Sequence, residues 1–485
     1  MIRTLFRDSI IYTIPLLVSR GIAIFLVPLY TRVLSPGDYG VLDMLMTFGI
    51  LVNLTVPLEI SQGVARHYVD EEVPQKKVQY ASTAFWFTVF SYTFFLVVTI
   101  FLAPLLAKVI IGRDGLDSIF RLGMGYIWAN GIFYLVQNQF RWELRSKQYA
   151  ICSLLLTLAT AFISVVLAYG LNWGLDGLLW GMLGGAIAGC VYGISQLRES
   201  FQLVFNFERL KEMLIFSLPL VPSGIAVFVN QYIDRLMINY FLTLDSLGLY
   251  GVGFRIASIS WLVMVGFQGA LTPLIYTNYR SPDTPEQIAR IFRSFLFFAL
   301  MLFYFLSVFA NETLRLLTTS EYYAASELVV LLVPAILLSN MYIFAPGIFI
   351  AKKTHLTLWI NVAGALAHAC LNYVLIPRFG IQGAGLATLF GHMLVFIAYL
   401  YFSQKLYPVS HNWHVLGMAT VVVIVGIVGA NSFFFDMMIN LFLKSALGIL
   451  LALLLIKIRL VTFEEFISAV QSVRRLLVLG ISQKV

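Results

Sequence analysis

Three arginines stand inside apolar stretches of this chain: Arg20, Arg235 and Arg255. A charge at bilayer depth costs several kcal/mol unless it faces an aqueous cavity or a partner. The guanidinium fork grips phosphate or carboxylate oxygens at two points and stays charged at any working pH. Arg20 lies about ten residues into its stretch, or about 15 Å by helical rise, near the middle of a hydrocarbon layer roughly 30 Å thick. No acidic residue stands near it in sequence. Arg235 and Arg255 lie about ten residues either side of Asp245, which puts them at similar depth on adjacent antiparallel helices. Two roles are open to the three arginines: a cationic patch for an anion, or structural pairing with Asp43, Glu59 or Asp234. Asp234 precedes Arg235, and consecutive helical residues point about 100° apart. The two cannot both face one cavity, so Asp234 suits a neighbouring helix better than it suits a substrate.

Other side chains add weaker signals. Asn230, Gln231 and Tyr232 form one polar run and Gln137, Asn138 and Gln139 another. Amides and aromatic rings suit sugars, yet amides also bond helices together in membranes. His368 and His392 lie about twelve residues either side of Gly380, again at matching depth. Their titration range suits ion coupling, and a buried bundle histidine is the competing role. Cys152, Cys190 and Cys370 share no metal spacing and read as buried small side chains within helices. No P-loop, metal motif or nucleophile elbow is present. Catalytic, metal and cofactor roles are not expected. Energy input would then come from an ion gradient or from consumption of the product.

These residues need a lipid-embedded scaffold. The 485 residues are 60% hydrophobic and only 12% charged, against about 45–50% and 25% in soluble domains. A soluble enzyme and a disordered chain are excluded. The net charge of +8 does not mark a nucleic-acid binder, because the basic residues sit in short loops and not on one face. The runs predict fourteen transmembrane helices: 10–33, 39–65, 80–107, 119–140, 149–170, 176–197, 212–240, 247–277, 288–310, 325–350, 356–376, 383–405, 413–431 and 437–457. Of the 32 Lys and Arg, 22 fall on the side of the N-terminus and seven on the other, Lys444 among the seven. The positive-inside rule then places both termini in the cytoplasm.

The halves repeat. Ser35-Pro-Gly37-Asp-Tyr39-Gly40-Val41 matches Ser246-Leu-Gly248-Leu-Tyr250-Gly251-Val252. Gly174-Leu-Asp-Gly177 with Gly185 matches Gly380-Ile-Gln-Gly383 with Gly391, and Ile14-Pro15-Leu16 matches Leu218-Pro219-Leu220. Six spans separate the copies, so the repeats are parallel, related by an axis along the membrane normal. The fold class expected is an all-α polytopic membrane protein. It has two pseudo-symmetric six-helix lobes, 1–205 and 206–405, around a central cleft. Two additional helices span 406–460. In the tail, 461–485, Thr462 and Glu465 form a capping box ahead of an amphipathic helix, which suits the inner leaflet or the protein's own bundle.

The segments "LVSRGIAIFLVPLYTRVLSPGDYGVLDML" (17–45) and "YIDRLMINYFLTLDSLGLYGVGFRIASI" (232–259) resemble the polysaccharide flippases. So do "RSKQY" (145–149) and "RFGIQGAGLAT" (378–388). These flippases are the O-antigen-type branch of the multidrug/oligosaccharidyl-lipid/polysaccharide exporter superfamily, and the likeness covers roughly 1–405. It implies alternating access by two lobes. It also implies movement of an undecaprenyl-diphosphate-linked oligosaccharide across the inner (cytoplasmic) membrane for surface polysaccharide biosynthesis. Arg20, Arg235 and Arg255 would then meet the diphosphate; Asn230, Gln231, Tyr232 and Gln137 would meet the glycan; His368 and His392 would serve ion coupling. The implied partners are the lipid-linked oligosaccharide, membrane lipids, and the polymerase and glycosyltransferases of the same pathway, with no nucleic acid. Sister branches move the peptidoglycan precursor or export drugs on the same architecture. A membrane-embedded glycosyltransferase or polymerase would need a large outer loop, and the longest here is about fourteen residues (311–324).

Overall fold

The computed structural model describes residues 21, 26–261, 263, 264, 267, 268, 271, 275, 278–432 and 437–461. The expected tail helix, Arg20 and most of the first span lie outside the described residues, as does part of 247–277. Every regular element described is helical. By contacts the chain divides into two compact units. Unit 1 comprises Met1–Val252, Leu317–Tyr322 and Asn372–Ile381; unit 2 comprises Gly253–Leu316, Tyr323–Leu371 and Gln382–Val485. These boundaries differ from those of the repeat.

Unit 1 carries α1 (Val27–Val33), α2 (Pro36–Thr55), α3 (Ile60–Asp70), α4 (Pro74–Phe101), α5 (Ala103–Ile110), α6 (Asp117–Trp142), α7 (Ser146–Ser164), α8 (Gly174–Gln196), α9 (Phe207–Ser217), α10 (Leu220–Phe241) and the start of α11 (Leu244–Ala257). Its core packs Val64, Phe85, Phe133, Phe140, Cys152 and Cys190. Helices α7 and α8 form an antiparallel pair zipped by glycine. A Cβ at Gly181 would lie 2.1 Å from the Ser164 hydroxyl oxygen, and one at Gly185 2.0 Å from that of Thr160. The spacing of four residues keeps the glycines on one face, so the backbones approach as small-residue membrane interfaces do.

Unit 2 carries α12 (Thr284–Val308), α13 (Ala310–Leu317, its last residue in unit 1), α14 (Ser326–Asn340), α15 (Gly347–Ile350), most of α16 (Thr354–Leu406), α17 (Trp413–Asn431) and α18 (Met437–Lys457). Helix α16 is interrupted at Gly380, whose φ of 57° and ψ of −138° are outside the helical region. Its arms pair antiparallel: Gly364 faces Val395, His368 faces Gly391, and the Tyr399 hydroxyl lies 3.4 Å from Asn361 Oδ1. The turn expected near Gly380 is therefore a hairpin. Cys370 is exposed rather than buried. Lys444 does not sit in a loop. It is buried in α18, donating to the Val308 carbonyl at 3.1 Å and to Glu312.

Among the described residues nine helices are long and apolar enough to span a membrane, or eleven if each of two bent pairs is one span. The chain is an integral membrane protein.

The connection between α16 and α17 carries a titratable group. His411 packs edge-on to Phe292 and Trp413, with ring centroids 5.0 Å away in each case. Burial, with Arg293 adding, lowers its pKa to about 4. The unfolded chain titrates near 6.5, so between these values the unfolded state binds more protons. Stability is full above about pH 6.5 and falls as pH drops toward 4. His411→Phe is expected to flatten this loss, read as melting temperature of the detergent-solubilised protein at pH 7.5 and 4.5. An unchanged difference would remove His411 from the acid response.

Candidate functional site

Two helices of unit 1 are broken at similar angles. Between α2 and α3 the chain runs Val56-Pro57-Leu58-Glu59, and the axes bend by 46°. Pro57 has no N–H to continue the ladder, and Leu58 and Glu59 take left-handed φ values of 51° and 54°. Between α9 and α10, at Leu218-Pro219, the bend is 45°. Irregular backbone at membrane depth is tolerated where it is buried in protein or lines a cavity.

A cavity of about 450 Å³ lies against both broken helices, within the range of roughly 300–1,000 Å³ usual for small-molecule sites. Glu59 and Gln62 line it from the first break, and Ser223, Gln231 and Tyr232 from α10. Phe228 stacks on Tyr232 at 5.3 Å and completes an aromatic wall. Amides, a carboxylate and ring faces can meet the hydroxyls and C–H faces of a sugar. Interrupted helices are also where transporter folds build substrate sites.

Arg235 lies one turn along α10 from this cavity. Its guanidinium stacks on the Tyr232 ring at 5.2 Å and on the Tyr250 ring at 5.6 Å. Nε donates to Asp43 Oδ2 at 3.0 Å, and Nη1 lies 3.4 Å from Asp234 Oδ1. The Tyr250 hydroxyl donates to the other Asp234 oxygen. Arg235 is only 4% exposed. Of the two roles open to it, the contacts of Arg235 are those of structural pairing: an ion-paired knot joins α2, α10 and α11. The side chain also bends back far enough to reach Asp234, one of the three carboxylates weighed as its structural partners.

Gln231 and Tyr232 meet in the cavity, while Asn230 is half-buried on α10 and does not line it. Gln137 is elsewhere: its amide donates to Ser153 Oγ and ties α6 to α7. Arg255 is half-buried on α11, in unit 2. His368 and His392 come together across the α16 hairpin with ring centroids 5.7 Å apart. Glu59 entered the sequence reading only as a pairing partner, and Gln62 did not enter it. Pro57 inside an otherwise apolar span was the available signal. Among the described residues no three His, Cys, Asp or Glu are placed to hold a metal ion.

Residues 29–327 match the family described as polysaccharide biosynthesis protein. A probable low-salt glycan biosynthesis flippase, Agl15 of Haloferax volcanii, is 23% identical over 297 residues, 58% of this chain and 61% of that protein. The capsular polysaccharide biosynthesis protein CapF of Staphylococcus aureus is 22% identical over 42% of this chain and 52% of its own. The chain thus spans between half and two thirds of the length of these two relatives. In fold it is similar to the lipid II flippase MurJ in an inward closed conformation. The TM-score is 0.70 at 15% identity, covering 92% of this chain and 98% of that one. An inward-facing multidrug resistance MATE transporter of the MOP superfamily gives 0.64 at 14% identity, covering 82% and 97%.

Proposed function

The chain belongs to the polysaccharide biosynthesis protein family, and from that premise we propose that it is a flippase. It moves an undecaprenyl-diphosphate-linked oligosaccharide across the cytoplasmic membrane by alternating access. The scaffold proposed is fourteen spans with both termini cytoplasmic and two six-helix lobes, 1–205 and 206–405. The observation that carries this reading is the aromatic-walled cavity against two broken helices, with Glu59, Gln62, Ser223 and Gln231 set in its lining. Gln231, Tyr232, Glu59 and Gln62 hold sugar there. Arg20 and Arg255 attract the diphosphate, Arg235 holds the surrounding helices, and His368 with His392 serves ion coupling. A peptidoglycan precursor is the second substrate class, favoured by the likeness in fold to MurJ.

Surface polysaccharide display tests this at matched membrane levels of each variant. Arg20→Ala is expected to cut display about tenfold or more, as loss of one hydrogen bond to a charged group (about 1.5–3 kcal/mol) would require, and Gln231→Leu about two- to tenfold, as loss of one neutral hydrogen bond (about 0.5–1.5 kcal/mol) would. Arg20→Lys should rescue in part, because the charge survives and the two-point fork does not. Full display in Arg20→Ala and Gln231→Leu would remove both residues from the substrate path. A peptidoglycan defect with display intact would select the second substrate class.

A further inference from the structure

Unit 2 contains a second and larger cavity, about 890 Å³, distant in sequence from the broken helices. The ends of α12 and α17, the starts of α14 and α18, and Gln382 beside the α16 turn enclose it. All of these lie at the loop ends opposite the basic connections that hold Arg280, Lys352, Lys353 and Lys405. In the orientation proposed above, that is the outer side.

The lining is polar, and its charges cancel. Glu312 and Glu327 stand against Arg315 and Lys444. Lys444 is tied to Glu312, and Gln382 donates to Glu327. Asn311, Asn431 and Asn440 add planar amides. At the wall, the second Glu312 carboxylate oxygen and the Ser307 hydroxyl are buried, with no hydrogen-bond partner among the described residues. A diphosphate gains nothing from a lining of net zero charge, and a metal cation would have to displace Lys444. Amides and paired carboxylates instead suit a ligand that both donates and accepts at many points. The volume is that of a site for a molecule of several rings.

We propose that this cavity is an outer-side saccharide site, occupied by the uncharged, hydroxyl-rich part of the glycan after translocation. It rests on the flippase reading for its place in transport, but not for the binding itself. It also gives work to α17 and α18, which lie outside the sequence repeat yet supply Asn431, Asn440 and Lys444.

The test is saturation-transfer NMR on the full chain in lipid nanodiscs, with maltotriose and triacetylchitotriose as probes and inorganic pyrophosphate as competitor. Asn431 and Gln382 are exposed, so N431L and Q382L should fold; unchanged melting temperatures check this. Transfer to at least one trisaccharide is expected. It should fall at least fivefold in N431L and in Q382L, and survive pyrophosphate. No transfer to either probe, or equal transfer in N431L and Q382L, overturns the site. Loss in Gln231→Leu alone places the sugar in the unit 1 cavity and overturns it as well. Binding that behaves as expected in a protein whose loss leaves surface display intact would refute the flippase reading and leave the site standing.

Discussion

Replacing Arg235 with methionine is expected to remove most of the folded protein from the membrane. The guanidinium sits between Asp43 and Asp234, whose side chains are 20% and 1% exposed. Methionine keeps much of the volume but leaves two carboxylates facing each other with their common cation gone. Breaking a buried pair in this way costs about 3–5 kcal/mol, a large part of a typical stability of about 5–15 kcal/mol. Asp43→Asn in the same chain should recover part of the loss by removing one orphaned charge. Arg235→Lys should fall between, since an ammonium can meet one carboxylate but cannot stack on Tyr232 and Tyr250 as a planar group does. The measurements are membrane level and melting temperature in detergent. A methionine variant that melts with the parent but stops export would put this guanidinium in the substrate path and overturn the structural role.

Much of this arrangement was legible in the residues, and the reasons for the gaps are specific. Apolar run length marked the α16 hairpin because a glycine at its centre is the residue best able to take a φ of 57°. Matching depth around that turn brought His368 to His392 on sequence arithmetic alone. The partners of Arg235 were named as candidates, but choosing among them needed the crossing of α2 and α10, which spacing along one helix cannot supply. The cavity of unit 1 was half legible: Gln231 and Tyr232 were visible as a polar run. Glu59 and Gln62 were hidden because a continuous apolar run conceals the break that Pro57 makes in it. Lys444 was counted with the outer basic residues although the run 437–457 contains it, because a lysine in a span is costly and its compensation, Glu312, lies 132 residues away.

The repeat makes the other large prediction. Its two glycine motifs meet side by side at the starts of α2 and α11. Gly37 faces Asp245, Gly40 faces Gly248 and Gly251 faces Asp43. The numbers rise together, so these segments run parallel. The backbones are in contact: a Cβ on Gly40 would lie 2.0 Å from the Leu244 carbonyl oxygen, and one on Gly248 1.9 Å from that of Pro36. No rotamer change relieves a clash with backbone. Gly40→Ala and Gly248→Ala are therefore each expected to cost at least the 1–3 kcal/mol or so of an overpacked core, and to prise the helices apart. Gly417→Ala is the control, since nothing lies within 4 Å of the added carbon. There the gain of about 0.5–1 kcal/mol for alanine over glycine inside a helix should show unopposed. Melting temperature orders the three variants: the control at or above the parent, the two motif variants well below it. Parental melting in both motif variants would mean that the helices do not touch through these glycines. The motif would then owe its repetition to something other than this contact.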